Sequence, residues 1–219
     1  MTVLIFANGE CDLGGWLRPH LETATVLLAA DGGTYHLLKL GLRPHLVMGD
    51  LDSLDPATLA DLAQTGVDIR PHPRDKDETD LELLLLYAAA TYPQLPIRIV
   101  GGFGGRLDQT LANILLLAHP QLRGRDIQLM DNSHRAWLIH DQTTIQGEIG
   151  DTVSFIPLGG HVHIQQTTGL KWSLQAEWLH FGPARGISNV LTHPVATIQI
   201  SAGVLLCIHI RQEADRSYP

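Results

Sequence analysis

Cysteine is almost absent from this chain, which holds Cys11 and Cys207 and no other thiol among its 219 residues. Two cysteines this far apart do not make a disulfide framework, and they cannot supply the four thiolates of a structural zinc site within one chain. Such scarcity is typical of proteins that work in a reducing compartment. We therefore expect a cytoplasmic protein.

Long apolar runs are also missing. The most apolar segment, Leu81 to Ala90, is too short to span a bilayer and contains Glu82. The first residues have neither the basic start nor the cleavage pattern of a secretory signal peptide. These features predict a soluble protein with no membrane partner.

Basic residues are in the minority, with 15 lysines and arginines against 23 acidic residues and a formal charge of -8. Proteins that bind nucleic acid depend on a basic surface that displaces counterions from phosphates. We therefore expect no nucleic-acid partner. A polyanionic ligand would need a metal ion or a local basic group.

Two kinds of hydrophobic pattern divide the chain. In the first part, apolar runs typical of strands buried on both faces alternate with helical patterns. The apolar runs are TVLIFANG, TVLLAADGG, HLVMGD and IRIVGG, and the helical patterns are YHLLKLG, PATLADLAQTG and TDLELLLLYAAATY. From about Asp126 onward the apolar residues alternate with polar ones, as in short antiparallel strands. We predict an α/β domain with a mostly parallel, Rossmann-like sheet over residues 1–142, followed by a smaller all-β sandwich domain over residues 143–219.

The segment GDLDS (residues 49–53) follows the third predicted strand. Its glycine allows a sharp turn, after which Asp50 and Asp52 could converge on a hard cation through their oxygens. The alternative is helix capping, in which Ser53 or Asp55 caps a helix that begins with a proline. Capping accounts for Asp55 but leaves Asp50 unexplained, so both interpretations stay open.

The segment RDKDETDLELLLL (residues 74–86) begins the next predicted helix. Asp77 as the cap and Asp80 in the first turn form a complete structural account, because carboxylates there complement the helix dipole. The functional alternative assigns Asp80 to a metal or ligand and Lys76 to a phosphate. On the pattern alone, the structural account is favoured.

The segment GGFGGRLDQ (residues 101–109) places four glycines in five positions after a strand and ahead of a helix. Glycines allow close backbone approach, and amides at a helix N-terminus attract phosphate. Arg106 would add a bidentate clamp, while Asp108 would orient its guanidinium or bind metal. The spacing matches neither a Walker A loop nor a dinucleotide fingerprint. The predicted inner face of the helix is formed by Leu107, Leu111, Ile114, Leu115 and Ala118.

Together these segments resemble the thiamine pyrophosphokinase family. ADGG (residues 30–33), GDLDS, KDETD (residues 76–80) and GGFGGRLDQ occur in the family's order and at similar spacing. TTGLKWSL (residues 167–174) and GISN (residues 186–189) resemble the family's thiamine-site segments. The resemblance covers nearly the whole chain, and six segments in order are far more specific than any one of them.

The resemblance implies a Mg²⁺-dependent enzyme that transfers pyrophosphate from ATP to the hydroxyl of thiamine and releases thiamine diphosphate and AMP. It also implies a homodimer with the active site at the subunit interface. The implied Mg²⁺ ligands are Asp50, Asp52 and Asp80, and the implied catalytic set adds Arg106 and Asp108 to them. The residues implied for the ATP and phosphate site are Asp31, Gly32, Lys76, Thr79, Gly104 and Gly105, and those implied for thiamine are Trp172, Ser188 and Asn189.

Some features of the chain leave other interpretations open. Trp172 taken alone would be a core tryptophan of the sandwich, Gly186 stands where relatives often carry a hydroxyl, and Gln109 stands where a histidine is common. A related enzyme could pyrophosphorylate a pterin alcohol or hydrolyse a nucleotide. A nucleotide-sensing module without turnover is the rival from another class.

Overall fold

The computed structural model describes residues 1–212 and places a boundary between two units at Asn132 and Ser133. The predicted boundary after residue 142 falls later in the chain. The difference arises because the strand His134–Ile139 pairs along its length with Leu205–Ile210 and so belongs to the second unit. Among the described residues, every helix is too short or too polar to reach across a bilayer.

Six strands of the first unit lie side by side and run parallel. They are β1 (Thr2–Phe6), β2 (Ala24–Ala30), β3 (Leu46–Gly49), β4 (Asp68–Pro71), β5 (Ile97–Val100) and β6 (Ile127–Met130). Their order is β6-β5-β1-β2-β3-β4, with every neighbouring pair parallel. The chain adds β2 to β4 on one side of β1 and then crosses to the other side for β5 and β6. The order of the strands thus reverses between β1 and β5, and sheets of this kind bind ligands at such a switch point, beyond the carboxyl ends of the strands.

Helices cover both faces of this sheet, which is why strands inside it, such as β1 and β5, are apolar on both sides. The helices are α1 (Arg18–Thr23), α2 (Thr34–Lys39), α3 (Pro56–Gln64), α4 (Asp80–Thr91) and α5 (Leu107–Leu116). Leu4 and Phe6 of β1 share one buried cluster with Leu37 of α2 and Leu62 of α3. Helix α4 contacts β2 and β3 and buries the inner face that its sequence predicts, Leu81, Leu84, Leu85 and Ala88.

Helix α5 does not bury the face that the sequence predicts. Leu107, Leu111 and Leu115 are 81%, 54% and 46% exposed, and none of the ten residues of α5 is buried. Instead, Asn113 is turned towards the glycine segment, where its Nδ2 donates to the carbonyl of Gly102 at 2.9 Å. The predicted apolar period is therefore present. Leu107, Leu111 and Leu115 form an apolar stripe that the described part of the chain leaves uncovered.

The second unit is a sandwich of two antiparallel sheets. Its strands are β7 (His134–Ile139), β8 (Gln142–Gln146), β9 (Thr152–Pro157), β10 (Val162–Thr168), β11 (Gln175–Leu179), β12 (Asn189–Val190), β13 (Val195–Ala202) and β14 (Leu205–Ile210). One sheet has the order β12-β9-β14-β7 and the other β11-β10-β13-β8. Alternate residues such as Val153, Phe155, Ile164 and Ile198 form a common core. The predicted fold class, a mostly parallel α/β domain followed by a smaller β-sandwich, is confirmed.

Candidate active site

Three carboxylates lie together at the carboxyl edge of the first unit's sheet. Asp31 directly follows β2, Asp50 directly follows β3, and Asp52 lies in the turn beyond it. Each offers one oxygen, and these oxygens all lie within 4.8 Å of one another. Parallel strands end at one edge of a sheet, so two loops distant in sequence deliver their side chains to one place. The predicted convergence of Asp50 and Asp52 is present, and Asp31 joins them.

Asp31 is held in an unfavourable environment. Its backbone has φ 44° and that of Leu51 has φ 62°, in the left-handed region that residues other than glycine rarely adopt. The side chain of Asp31 is buried, and its Oδ1 has no hydrogen-bond partner within residues 1–212. A buried carboxylate oxygen without a partner is costly unless a cation or a donor satisfies it. Asp31 therefore has the features of a metal ligand, because a bound cation would give its buried oxygen the missing partner.

Asp80 lies beside this group without being part of it. Its Oδ1 lies 2.9 Å from Nζ of Lys76, an ion pair without the geometry of a hydrogen bond, and Nζ donates to the carbonyl of Pro73 at 3.0 Å. A Cβ at Gly49 would come within 2.9 Å of Cγ of Asp80 and 3.0 Å of Cβ of Asp31. The end of β3 thus passes between these two aspartates, and only glycine leaves enough room for both.

Of the two predicted helix caps, the one at Asp77 is wrong and the one at Asp55 is confirmed. Helix α4 is capped by Thr79, whose Oγ1 accepts a backbone hydrogen bond in the first turn at 3.1 Å, so the expected cap at Asp77 is wrong. Helix α3 is capped by Asp55, which accepts from the backbone and the hydroxyl of Thr58 at 2.9 and 2.6 Å and from the hydroxyl of Tyr35 at 2.8 Å. These bonds, led by that of the Thr58 hydroxyl, lower the pKa of Asp55 to about 2.

The loops of the first unit enclose a cavity of about 530 Å³. Its wall combines carboxylates, a lysine, an arginine and several glycines, which is a lining suited to a charged ligand. The polar and glycine residues of the wall include Asn8, Gly9, Glu10, Asp31, Lys76, Thr79, Asp80, Gly104, Gly105, Arg106, Gln109 and Asn113. Gly32 lies behind this wall, where a Cβ would come within 2.2 Å of Oδ1 of Asn8.

Glycines bring the loops after β1 and β5 into direct backbone contact. The N–H of Gly9 donates to the carbonyl of Gly101 at 3.0 Å. A Cβ on Gly9 would lie 2.4 Å from that carbonyl oxygen, and a Cβ on Gly101, which has φ 74°, would lie 2.5 Å from the carbonyl oxygen of Ala7. Gly104 and Gly105 also have positive φ, and both line the cavity. The glycine segment is therefore built for close approach as well as for turning.

Arg106 and Asp108 form an exposed bidentate pair at the start of α5. Nη2 of Arg106 lies 2.5 Å from one oxygen of Asp108, and its Nε lies 3.1 Å from the other. These hydrogen bonds hold the pKa of Asp108 below its usual value. Of the two roles predicted for Asp108, orienting the guanidinium agrees with this geometry, because Asp108 is outside the three-carboxylate group.

Trp172, on the second unit, is 53% exposed, so the interpretation of Trp172 as a core residue is wrong. Nζ of Lys171 lies 4.7 Å from the centroid of the indole, a cation–π arrangement. Ser188 is exposed and has φ 61°, and its N–H donates to the hydroxyl of Ser154 at 3.1 Å. A strained residue held outward in this way is typical of ligand sites.

Gly186 and Asn189 are both buried in the second unit. A Cβ on Gly186 would lie 2.2 Å from the carbonyl oxygen of Phe155, so this backbone leaves no room for a larger residue. Asn189 is buried, and its side-chain amide is hydrogen-bonded to the backbone of Trp172.

Both units match models of one family. The model described as the catalytic domain of thiamin pyrophosphokinase matches residues 17–129. The model described as its vitamin B1 binding domain matches residues 142–205. The chain belongs to the thiamine pyrophosphokinase family.

Individual relatives agree with this assignment. The thiamine pyrophosphokinase of Bacillus subtilis is 30% identical over 209 residues, which cover 94% of this chain and 97% of the relative. Thiamine pyrophosphokinase 1 of Arabidopsis thaliana is 28% identical over 218 residues, covering 87% of this chain and 80% of the relative. Among solved structures, the thiamine pyrophosphokinase of Bacillus subtilis has a TM-score of 0.86 at 28% identity, covering 97% of this chain and all of that one. The thiamin pyrophosphokinase of Geobacillus thermodenitrificans has a TM-score of 0.83 at 29% identity, covering 99% of both chains.

The structure brings Asp31, Lys76, Thr79 and Asp80 to one cavity with the glycine segment, and it places Asp50 and Asp52 beside Asp31. Sequence reasoning missed Glu10 and Asn113 as cavity residues. Glu10 follows the Asn-Gly pair in the loop after β1, which is a usable signal, whereas Asn113 lies inside a helical pattern that carries none.

Proposed function

We propose that the chain transfers a pyrophosphoryl group from ATP to the hydroxyl of thiamine, giving thiamine diphosphate and AMP. The observation that carries this proposal is the meeting of Asp31, Asp50 and Asp52 beside a cavity lined by Lys76 and by the glycine segment, in a chain whose two units match the two domains of the family. Such a site offers carboxylate ligands for a cation together with positive charge and backbone N–H groups that can bind phosphate. That combination is what a triphosphate needs on an acidic protein.

Mg²⁺ fits the residues present. Carboxylate oxygens are the ligands that this ion prefers, and the unpartnered buried oxygen of Asp31 supplies one in addition to Asp50 and Asp52. These three residues would hold the ion, with Asp80 available beside them. Bound there, Mg²⁺ would neutralise phosphate charge in the ground state and in the transition state. Compared with the ligand set that the resemblance implies, Asp31 is added, and Asp80 lies beside the three residues in an ion pair with Lys76.

The ATP phosphates would lie along the glycine segment. Gly104 and Gly105 have no side chains to block approach to the backbone there, and Arg106 carries a guanidinium that Asp108 already orients. Lys76, almost buried and fixed by Asp80 and a carbonyl, would add a point charge. These groups would align the β-phosphorus and stabilise the charge that spreads over its oxygens.

The reaction would be a single in-line displacement. A bond forms between the hydroxyethyl oxygen of thiamine and the β-phosphorus, while the bond from that phosphorus to the oxygen bridging the α-phosphorus breaks. AMP keeps the bridging oxygen, and a carboxylate, Asp50 or Asp80, takes the hydroxyl proton. Trp172 would stack on a ring of thiamine, because an indole face attracts a cationic heterocycle. Ser188 would offer its hydroxyl to the same substrate.

Incubation of the chain with ATP, Mg²⁺ and thiamine tests this proposal directly. Equal amounts of AMP and thiamine diphosphate are the expected products. Inorganic phosphate or pyrophosphate formed without thiamine diphosphate would indicate a hydrolase, and turnover only with a pterin alcohol would indicate a different acceptor. Unchanged ATP under all these conditions would favour a nucleotide-sensing module.

The active form would be a homodimer in the cytoplasm. The exposed leucine stripe of α5 supports a second copy of the chain as a partner, because an apolar stripe of this kind is unusual on an isolated surface. It begins at the residue next to Arg106, which would place the partner near the phosphate site. The low cysteine content supports the location.

A further inference from the structure

The loop that carries Trp172 runs beside the segment that carries Asn189. Their backbones are joined by an irregular ladder of two hydrogen bonds, each of 2.9 Å, and one isolated bridge. The paired residues are Gly169 with Thr192, Leu170 with Leu191, and Lys171 with Val190. The ladder stops one residue short of Trp172.

The side chain of Asn189 continues this ladder to Trp172. The N–H of Trp172 donates to Oδ1 of Asn189 at 3.1 Å, and Nδ2 of Asn189 donates to the carbonyl of Trp172 at 2.7 Å. The side-chain amide thus plays the part of a peptide group. The backbone of Asn189 is meanwhile paired with Val153 of β9, so one residue joins the loop to the sheet.

These contacts use up the acceptor capacity of the amide. Oδ1 of Asn189 also accepts from the N–H of Val190 at 2.9 Å, and a carbonyl oxygen has two lone pairs to offer. Asn189 as a whole is only 6% exposed. Asn189 is therefore poorly placed to recognise a ligand donor, whereas Trp172, the residue it holds, presents its indole outward.

We propose that Asn189 is a positioning residue, which clamps the backbone of Trp172 so that the indole face is already ordered for a flat cationic ring before substrate arrives. This inference rests on the proposed function for the identity of that ring, thiamine. It differs from the direct contact between Asn189 and the pyrimidine that the resemblance implies. Fixing the loop in advance removes an ordering cost from binding, so the clamp would act on thiamine affinity alone.

Fluorine NMR of the ligand-free protein tests the clamp without any substrate. The protein is labelled with 5-fluorotryptophan, and the Trp172 resonance is assigned by its absence in Trp172→Phe. We expect Asn189→Ala to shift or broaden that resonance, while Gln175→Ala, which removes an exposed amide from the same unit, leaves it unchanged. An unaltered Trp172 resonance in Asn189→Ala would overturn the proposal. Should the alanine variant not fold, Asn189→Asp decides, since it keeps the acceptor and loses the donor to the Trp172 carbonyl.

A double-mutant cycle then separates positioning from direct contact. We expect Asn189→Ala to raise the KM for thiamine by about tenfold, which is the size of effect that double-mutant cycles give for two residues in contact. The KM for ATP should stay within about twofold of its original value. In a Trp172→Ala background, the same change should alter the thiamine KM by less than about twofold, because no indole remains to be positioned. The same tenfold effect in both backgrounds would show that Asn189 contacts thiamine itself and would overturn the proposal.

The two experiments distinguish failure of the clamp from failure of the proposed function. If the unmodified chain forms no thiamine diphosphate, the proposed function is wrong, and the fluorine spectra still decide whether Asn189 orders Trp172. If the chain is active and the spectra do not respond, the clamp alone is wrong.

Discussion

Asp31 is buried, strained and short of a hydrogen bond, and each of these features costs folding free energy. Asp50 and Asp52 add like charge nearby. Arg74, whose Nη2 lies 3.0 Å from Oδ2 of Asp52, offsets part of this repulsion, but no hydrogen bond within residues 1–212 reaches Oδ1 of Asp31. A divalent cation would satisfy that oxygen and offset the remaining repulsion. At the scale of single residues, Asp31 is therefore the strongest indication of a metal site.

We expect Asp31→Asn to separate activity from stability. Asparagine fits the left-handed backbone and has nearly the same shape, so the fold should persist. Loss of a charged ligand should lower kcat/KM at limiting Mg²⁺ by at least about 100-fold. The melting temperature in Mg²⁺-free buffer should be unchanged or higher, because a buried unpaired charge has been removed. Asp61→Asn, at an exposed ion pair with Arg43, is the control, and near-normal turnover of Asp31→Asn would contradict the ligand role.

At the scale of elements, the contact between the loops after β1 and β5 depends on Gly101. We expect Gly101→Ala to raise the KM for ATP and to lower the melting temperature, because the new Cβ would push the glycine segment away from Ala7. Gly41→Ala is a matched control, since Gly41 has a similar φ of 70° and no atom within 4 Å of its Cβ position. Both variants should lose about 1–2 kcal/mol to backbone strain, and only Gly101→Ala should lose more. Equal losses and an unchanged ATP KM would refute the close-approach argument.

The cap of α3 predicts a pH dependence. Because the folded-state pKa of Asp55 is about 2, below the value of about 3.9 usual for an unfolded chain, its contribution to stability is complete above that unfolded value. It is lost as the pH falls through about 2. Asp55→Asn keeps an N-cap that does not titrate, so the difference in melting temperature between the two proteins should change between about pH 4 and pH 2. A constant difference, or a carboxyl pKa near 4 by NMR, would contradict the observed capping geometry.

Elements with a strong pattern were predictable, and those defined by long-range contacts were not. The buried strands β1, β2, β3 and β5 are continuous apolar runs, so the sequence indicates them. Strand β4 is short, polar and at the sheet edge, and β12 has two residues, so neither has a readable period. The pairing of Asn189 with Trp172 joins residues 17 apart and has no sequence signature. The residues of the acidic edge could be predicted, but the pairing of Lys76 with Asp80 could not.

Helix α5 shows what an apolar sequence pattern can and cannot predict about the whole molecule. Its period correctly indicates an apolar face, but a period cannot say which chain covers that face. Leu107, Leu111 and Leu115 lie four residues apart and so form one stripe along the helix. Leaving such a stripe in water would forfeit most of the hydrophobic stabilisation that its burial offers. In the proposed homodimer, this stripe would form part of the surface between the two copies of the chain.

Leu111→Glu tests this interpretation, because it places a charge at the centre of the stripe while the fold of the single chain should tolerate an exposed glutamate. Sedimentation velocity should show a dimer for the unmodified chain and mainly monomer for Leu111→Glu, with circular dichroism unchanged. Ala112→Glu adds the same charge to an exposed position one residue further along α5 and should remain dimeric. If the active site needs both subunits, turnover of Leu111→Glu should fall with dilution and recover at high protein concentration, as mass action requires. A monomeric unmodified chain, or a Leu111→Glu variant that dimerises normally, would show that this stripe is not the dimer surface.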